Sequence, residues 1–414
     1  MLLGIRKRPR IITGLDIGTT KVCVIIGRAD PEDNLTILGV GSCPSKGLQH
    51  GEIVEIQSTA DAIVRAANQA MEVAGVPVGE LYVGIAGEHI SSQNASAMVE
   101  IRHRGRGIDE KDRFRVIQRA KNTTLPEDQA IIHAVVQEFR VNGRPHILKP
   151  VGLSGSHLEV HAHLVMSSVD SLNDLLKCVG RAGFRHQPQI VLQSLASSMS
   201  VLTQHEPELG TIVMDIGGGT TDVAIFFDGA IRATCEIGYA GDEITRDIAK
   251  ILQCSPIDAE NVKKRVGCAL PQMVDRGRTF ELPLGGDVRH MATHEEYHLA
   301  RIIEARLEDI FEIVAQYIEK NGYRSHIHAG AVLTGGTALL PGITDVAERI
   351  LEMKCRRGQP QGLKGFAPVV TSPIYATAVG LILYGMQPDC RDAEYRPRGP
   401  ARRILDYLVG IFAL

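Results

Sequence analysis

Residues Ile11 to Gly27 read IITGLDIGTTKVCVIIG: an apolar strand, a tight turn carrying Asp16, Gly18, Thr19, Thr20 and Lys21, then a second apolar strand. The plan returns at Gly210 to Gly229, GTIVMDIGGGTTDVAIFFDG, with Asp215 in the place of Asp16 and Gly217, Gly218, Gly219, Thr220 and Thr221 in the turn. Each copy precedes a further strand and a helix, Leu35 to Val40 and Thr59 to Ala74 in the first half, Ala230 to Cys235 and Asp242 to Leu252 in the second. In the first helix Ala62, Ile63, Ala66, Ala67, Ala70 and Met71 fall at helical spacing, with Thr59 or Ser58 as cap and Gly75 as stop. Two halves with one element order predict duplicated α/β lobes that face one another.

The turns predict a chemistry as well. Glycine lets backbone approach a ligand closely, turn amides and threonine hydroxyls donate, and Lys21 adds positive charge, a combination that suits a phosphate. A carboxylate tolerates a phosphate at this range only with a divalent cation or its water shell between them, so Asp16 and Asp215 are predicted as outer ligands of Mg²⁺. The second turn repeats the donors without the lysine. A third glycine turn, Leu333 to Thr337 with Gly335, Gly336 and Thr337, follows an apolar strand and suits a flat base or a ribose. One Asp-Ile-Gly turn alone is more often a plain hairpin; two in the same strand context, with the third turn, predict a nucleotide held between two lobes.

The chain has 414 residues, enough for roughly two to four domains. Its 45 basic residues nearly balance 48 acidic ones, with 44% apolar residues, which argues against a bulk nucleic-acid binder and against a disordered tail protein. Eight cysteines form no Cys-x-x-Cys pair, so they read as reduced cytosolic thiols. No apolar run has signal-peptide or membrane-spanning length. Between Gly84 and Met166 short alternating strands surround one helix, Glu110 to Lys121, and read as a self-contained insertion. A helix-rich block from Gly241 to Tyr323 ends in a long amphipathic helix carried by Ile303, Leu307, Ile310, Phe311, Val314 and Ile318. His157, His161 and His163 share strand parity with Glu159, a pattern a zinc site can use, although a solvated or cleft-facing strand surface is the commoner meaning.

After Met386 a Pro- and charge-rich stretch reads as a flexible linker. On a helical wheel Ile404, Leu405, Leu408, Ile411 and Phe412 share one arc, opposite Arg402 and Arg403. Such a helix is too short to span a bilayer but suits its interface, and the arginines would meet anionic headgroups at about 1 kcal/mol each. One tail holds weakly; copies linked in a polymer would hold firmly.

With these hairpins, the stretches GIAGEHI (Gly84 to Ile90), VGLSGSHLEVHAHLV (Val151 to Val165), QSLASSMSVLTQHEPELG (Gln193 to Gly210), YAGDEITRDIA (Tyr239 to Ala249), LTGGTALLPGI (Leu333 to Ile343) and SPIYATAVGLILYG (Ser372 to Gly385) resemble the actin-like ATPase superfamily, and within it the FtsA family of bacterial cell-division proteins. The resemblance implies an actin-like (ribonuclease H-like) two-lobe α/β fold with an inserted α+β subdomain IC and a C-terminal amphipathic helix. It divides the chain into 1–83 and 163–194 as subdomain IA, 84–162 as IC, 195–240 and 325–370 as IIA, 241–324 as IIB, 371–386 as a helix returning to IA, 387–400 as linker and 401–414 as membrane-targeting helix. It implies ATP as the nucleotide, with Gly241 added to its contacts. It also implies a filament of this chain on the inner face of the cytoplasmic membrane at the division site, FtsZ tails bound to IIB, and later divisome proteins on IC. Arg301 and Arg306 are candidates for the acidic FtsZ tail. Gln193 falls where relatives orient the attacking water; an amide is a poor base, so at most slow hydrolysis is expected. Two other readings share the hairpins. A PilM-type pilus-assembly protein typically has no membrane-binding tail helix, and a small-molecule kinase of the same superfamily needs a phosphoacceptor pocket.

Overall fold

The computed structural model describes residues 9–387 apart from 31, 33, 102–104, 106, 123–124, 185–186, 285–286 and 366. The first half runs β1 (Arg10–Ile17), β2 (Lys21–Ala29), β3 (Leu35–Pro44), the two-residue strands β4 (Leu48–Gln49) and β5 (Glu52–Ile53), helix α1 (Ile56–Ala74) and β6 (Glu80–Ile85). There follow β7 (Ile90–Glu100), α2 (Glu110–Lys121), β8 (Gln129–Val141), β9 (Arg144–Ile147), β10 (His157–Ser168), α3 (Val169–Arg181), β11 (Gln189–Leu192) and α4 (Gln193–Val201). The second half runs α5 (Glu206–Leu209), β12 (Thr211–Ile216), β13 (Thr221–Phe227), β14 (Ala230–Ile237), α6 (Gly241–Ile251), α7 (Pro256–Val266), β15 (Thr279–Leu284), β16 (Asp287–Glu295) and α8 (Glu296–Lys320). It closes with β17 (Ala331–Thr334), α9 (Ile343–Leu351), β18 (Cys355–Arg357), β19 (Lys364–Gly365), α10 (Ala367–Val370) and α11 (Ala376–Met386).

Two larger sheets form the lobes, ordered β11-β6-β1-β2-β3-β19 and β14-β13-β12-β17-β18. In both, the hairpin strands pair antiparallel, and the first hairpin strand pairs parallel with the strand that returns beside it. Strand parity explains their unbroken apolar runs: both faces are covered. Val22, Val24 and Ile26 face α1 and α3, while Cys23 and Ile25 face α11. In the second lobe Ile212, Met214, Val223 and Ile225 face α6, α8 and α9, and Val213 and Ala224 face the residues where α4 and α11 meet. The chain passes from the first sheet to the second through α4 and returns through the segment before α11, and these two helices pack on each other.

Strands β7, β10, β8 and β9 form a separate four-stranded sheet with α2 across it and a core of its own. Helix α2 has the predicted bounds because Asp109 and Asp112 cap its start reciprocally. Helix α8 buries the predicted seam, Ile303 through Ile318, against the second lobe. Helix α1 departs from expectation. It begins at Ile56 with Glu55 at the cap position, while Thr59 is buried inside the helix with its hydroxyl turned back to the Glu55 carbonyl at 2.9 Å. Gly75 ends it in the left-handed conformation, as predicted. No helix of the described residues is long and apolar enough to cross a membrane. The expected linker beyond Gln387 and the tail residues Arg402, Arg403, Ile404, Leu405, Leu408, Ile411 and Phe412 lie outside the described residues.

Candidate functional site

Both hairpins close with the same bond: the Gly18 amide donates to the Lys21 carbonyl at 3.0 Å, and the Gly217 amide to the Thr220 carbonyl at 2.9 Å. Their tips meet. A Cβ on Gly218 would lie 2.3 Å from Thr20 Cγ2 and one on Gly219 2.4 Å from Thr19 Oγ1, so only glycine lets the turns face each other this closely. The third turn joins the second from beneath. Thr337 donates to the Gly217 carbonyl at 2.8 Å, the Gly241 amide reaches the same carbonyl at 3.1 Å, and the Asp242 amide reaches that of Gly218 at 2.8 Å. Gly335 has φ +86°, and a Cβ there would sit 2.5 Å from Asp215 Oδ1. Gly18, Thr19, Thr20, Gly217 to Thr221, Gly241 and Gly335 to Thr337 thus form one cluster. Lys21 stands at its edge, donating to the Ile374 carbonyl at 2.7 Å and lying 4.4 Å from the Tyr375 ring centre. Gln193, the first residue of α4, is buried against Gly84, one residue beyond Val83, the strand partner of Leu15, and so at the same end of the sheet as Asp16.

Carboxylates concentrate behind the tips. Asp215, Asp222 and Glu236 occupy matched positions on β12, β13 and β14, so antiparallel register lines three acids across the sheet. Burial, with Asp222 adding to it, raises the Asp16 carboxyl to about 6 against the pull of Lys21. Burial, then Asp222 and Asp16, raises Asp215 to about 7 even though Thr377 donates to its Oδ2 at 2.8 Å. Burial raises Asp222 and Glu236 too. Asp222 and Glu236 lie carboxyl to carboxyl, and that contact raises Glu236 further. Carboxyl groups crowded so closely ionise together only beside a cation, and this donor set fits a hydrated Mg²⁺ facing Asp16 and Asp215. Among the described residues no group of three or more His, Cys, Asp or Glu side chains is arranged to hold a metal directly.

Beyond Gly241 a buried pair lines the second lobe. Lys263 donates to the Gly241 carbonyl and to Thr245, each at 2.7 Å, and pairs with Glu260 at 2.6 Å. Burial alone would raise the Glu260 carboxyl, but Lys263, Thr245 and Lys264 pull it down to about 2. Sequence reading missed Asp222, Glu236, Lys263, Glu260 and Thr377. Only the first two had a usable signal, since hairpin pairing fixes which residues stand opposite Asp215.

The other candidates do not join this cluster. Arg301 and Arg306 flank the α8 seam on different sides; Arg301 is exposed, whereas Arg306 is already paired with Asp247 at 2.7 Å and Asp309 at 3.0 Å. The histidines of β10 do not converge. His161 turns along its own strand to Glu159 at 2.9 Å, while His163 is buried beneath β14, where it meets Asn94 at 2.8 Å and Thr234 at 3.0 Å.

Comparison with known proteins follows the same outline. The family described as "Cell division protein FtsA" matches residues 212–380, and that described as "SHS2 domain inserted in FTSA" matches residues 87–166. The chain is 41% identical over 378 residues to the cell division protein FtsA of Pseudomonas aeruginosa, covering 91% of this chain and 90% of that protein. It is 36% identical over 385 residues to that of Escherichia coli K12, covering 91% of each. Among solved structures it is similar to the PilM-PilN type IV pilus biogenesis complex, with TM-score 0.64, 15% identity and coverage of 92% of this chain and 100% of that one. It is also similar to MreB5 of Spiroplasma citri bound to ADP, with TM-score 0.55, 14% identity and coverage of 92% and 96%. At such identity these two likenesses show the actin-like fold alone.

Proposed function

Because the chain belongs to the FtsA family of cell-division proteins, and so is an actin-like protein of cell division, we propose that it binds ATP with Mg²⁺ between its hairpins and polymerises on the inner face of the cytoplasmic membrane. There it anchors FtsZ filaments at the division site and recruits later divisome proteins through the inserted subdomain. The observation that carries the nucleotide part is the meeting of two amide- and threonine-bearing turns in front of buried Asp16 and Asp215. In this reading Gly18, Thr19, Thr20 and Lys21 hold phosphate from one side and Gly217 to Thr221 from the other. Asp16 and Asp215 meet Mg²⁺ through water, and Gly241, Gly335, Gly336 and Thr337 line the nucleoside. Gln193 orients water for slow hydrolysis. A nucleotide bound in both lobes fixes their angle, and that angle sets whether copies fit into a filament.

Anchoring falls to residues 401–414. Five large apolar side chains at about 1.5–3 kcal/mol each, less the cost of ordering the helix, give a hold that a filament multiplies. Exposed Arg301 is the freer cation for an acidic FtsZ tail, since Arg306 would first have to leave Asp247 and Asp309.

The experiment is co-sedimentation with anionic liposomes in ATP and Mg²⁺, comparing the full chain with a version ending at Pro400 and adding FtsZ tail peptide. The full chain is expected in the pellet with the peptide, and the shortened chain in the supernatant. Sedimentation that ignores the tail, with no peptide capture, would reject the anchoring role and favour a pilus-assembly reading.

A further inference from the structure

Asp215 receives a hydroxyl hydrogen bond from far along the chain. Thr377 Oγ1, in the first turn of α11, donates to Oδ2 at 2.8 Å, while the Ser197 hydroxyl on α4 donates to the Ser194 carbonyl at 3.3 Å. Both residues are buried, as is Asp215. Helix α4 carries the chain's first crossing between the sheets and α11 follows the second, and they pack so closely that a Cβ on Gly380 would fall 1.8 Å from the Ala196 carbonyl oxygen. Helix α11 is seated on the first lobe, where a Cβ on Gly14 would lie 2.5 Å from the Ala378 carbonyl oxygen. An aspartate of the second lobe is therefore aimed by a donor seated on the first. The segment just ahead of Thr377 handles the first hairpin too, since the Ile374 carbonyl accepts from Lys21 and the Pro373 carbonyl lies 3.4 Å from the Thr334 hydroxyl beside the third turn.

We propose that Thr377 is a positioning residue that fixes the Asp215 carboxylate toward the metal–nucleotide, so that Mg²⁺ binding and the angle between the lobes are linked through this hydroxyl. The inference rests on the reading of Asp215 as a carboxylate that meets Mg²⁺, and it adds the chain's own control over that contact. With one oxygen held by the hydroxyl, the other is left for the hydrated cation. Without it the carboxylate is held less firmly toward the cation.

The test uses the full chain and measures nucleotide affinity twice, with Mg²⁺ and with EDTA. Thr377→Val keeps shape and removes the donor. It should leave affinity in EDTA unchanged while the gain from Mg²⁺ falls by about tenfold or more, and Thr377→Ser should restore it. Thr377→Ala should lower the same gain, and it carries the test if Thr377→Val loses its cooperative melt. A Mg²⁺ gain equal to wild type in a well-folded Thr377→Val, or no rescue by serine, overturns the inference. No nucleotide binding by the wild-type chain in either condition overturns the nucleotide reading itself.

Discussion

Asp215→Asn leaves the chain folded and more heat-resistant at about pH 8, while its affinity for Mg²⁺–ATP falls by about tenfold to a hundredfold. The two effects share one cause. Asp215 is buried beside Asp222 and Asp16, and this raises its pKa from 3.8 to about 7. The folded state therefore holds a proton there that the unfolded chain has already released. That contribution to stability is fully present below the unfolded value near 3.8 and is lost as pH rises through about 7, a swing of roughly 4 kcal/mol for this one group. Without nucleotide, the wild-type melting temperature should fall between about pH 4 and pH 7, and the asparagine variant should flatten that fall. Added Mg²⁺–ATP should recover the wild type more than the variant, because the charge that destabilises the empty fold is the one that meets the cation. A variant that melts with the wild-type pH dependence, or binds Mg²⁺–ATP as tightly, would show that this carboxylate does neither job.

Gly380→Val is expected to be the most damaging single change to the frame. Its new side chain would begin 1.8 Å from the Ala196 carbonyl oxygen, and that neighbour is backbone, which cannot swing aside. Helices α4 and α11 would have to separate, with a cost of about 3 kcal/mol or more. The separation would also draw Thr377 away from Asp215. A urea titration should show the loss as a lower midpoint. Gly180→Ala is the matching control, because nothing lies within 4 Å of that Cβ and α3 should gain about 0.5–1 kcal/mol. Equal midpoints for the two variants would contradict the packing described here.

Local pattern reached some of these residues and not others, for reasons visible in each. The hairpins were legible because a tight turn between two apolar strands is written in a few consecutive residues. Helix α2 begins where expected and is fixed there by a side-chain cap, whereas α1 begins at Ile56 with no side-chain cap from Glu55, and Thr59, which looked like one, spends its hydroxyl inside the helix. The row of Asp215, Asp222 and Glu236 appears only after strand register is applied to the second hairpin and its neighbour. Lys263 reads in sequence as one of several charges on a solvated helix, yet burial beside Gly241 makes it part of the site wall. Thr377 meets Asp215 across 162 positions of chain, and no short-range pattern carries such a contact.

Titration calorimetry of ATP into the nucleotide-free full chain, with Mg²⁺ and then with EDTA, tests the facing hairpins most directly. Saturable heat for one nucleotide per chain is expected, strongest with Mg²⁺ and weakened by Asp215→Asn. A flat titration under both conditions, or saturable binding indifferent to Asp215, would contradict a nucleotide gripped between these two turns.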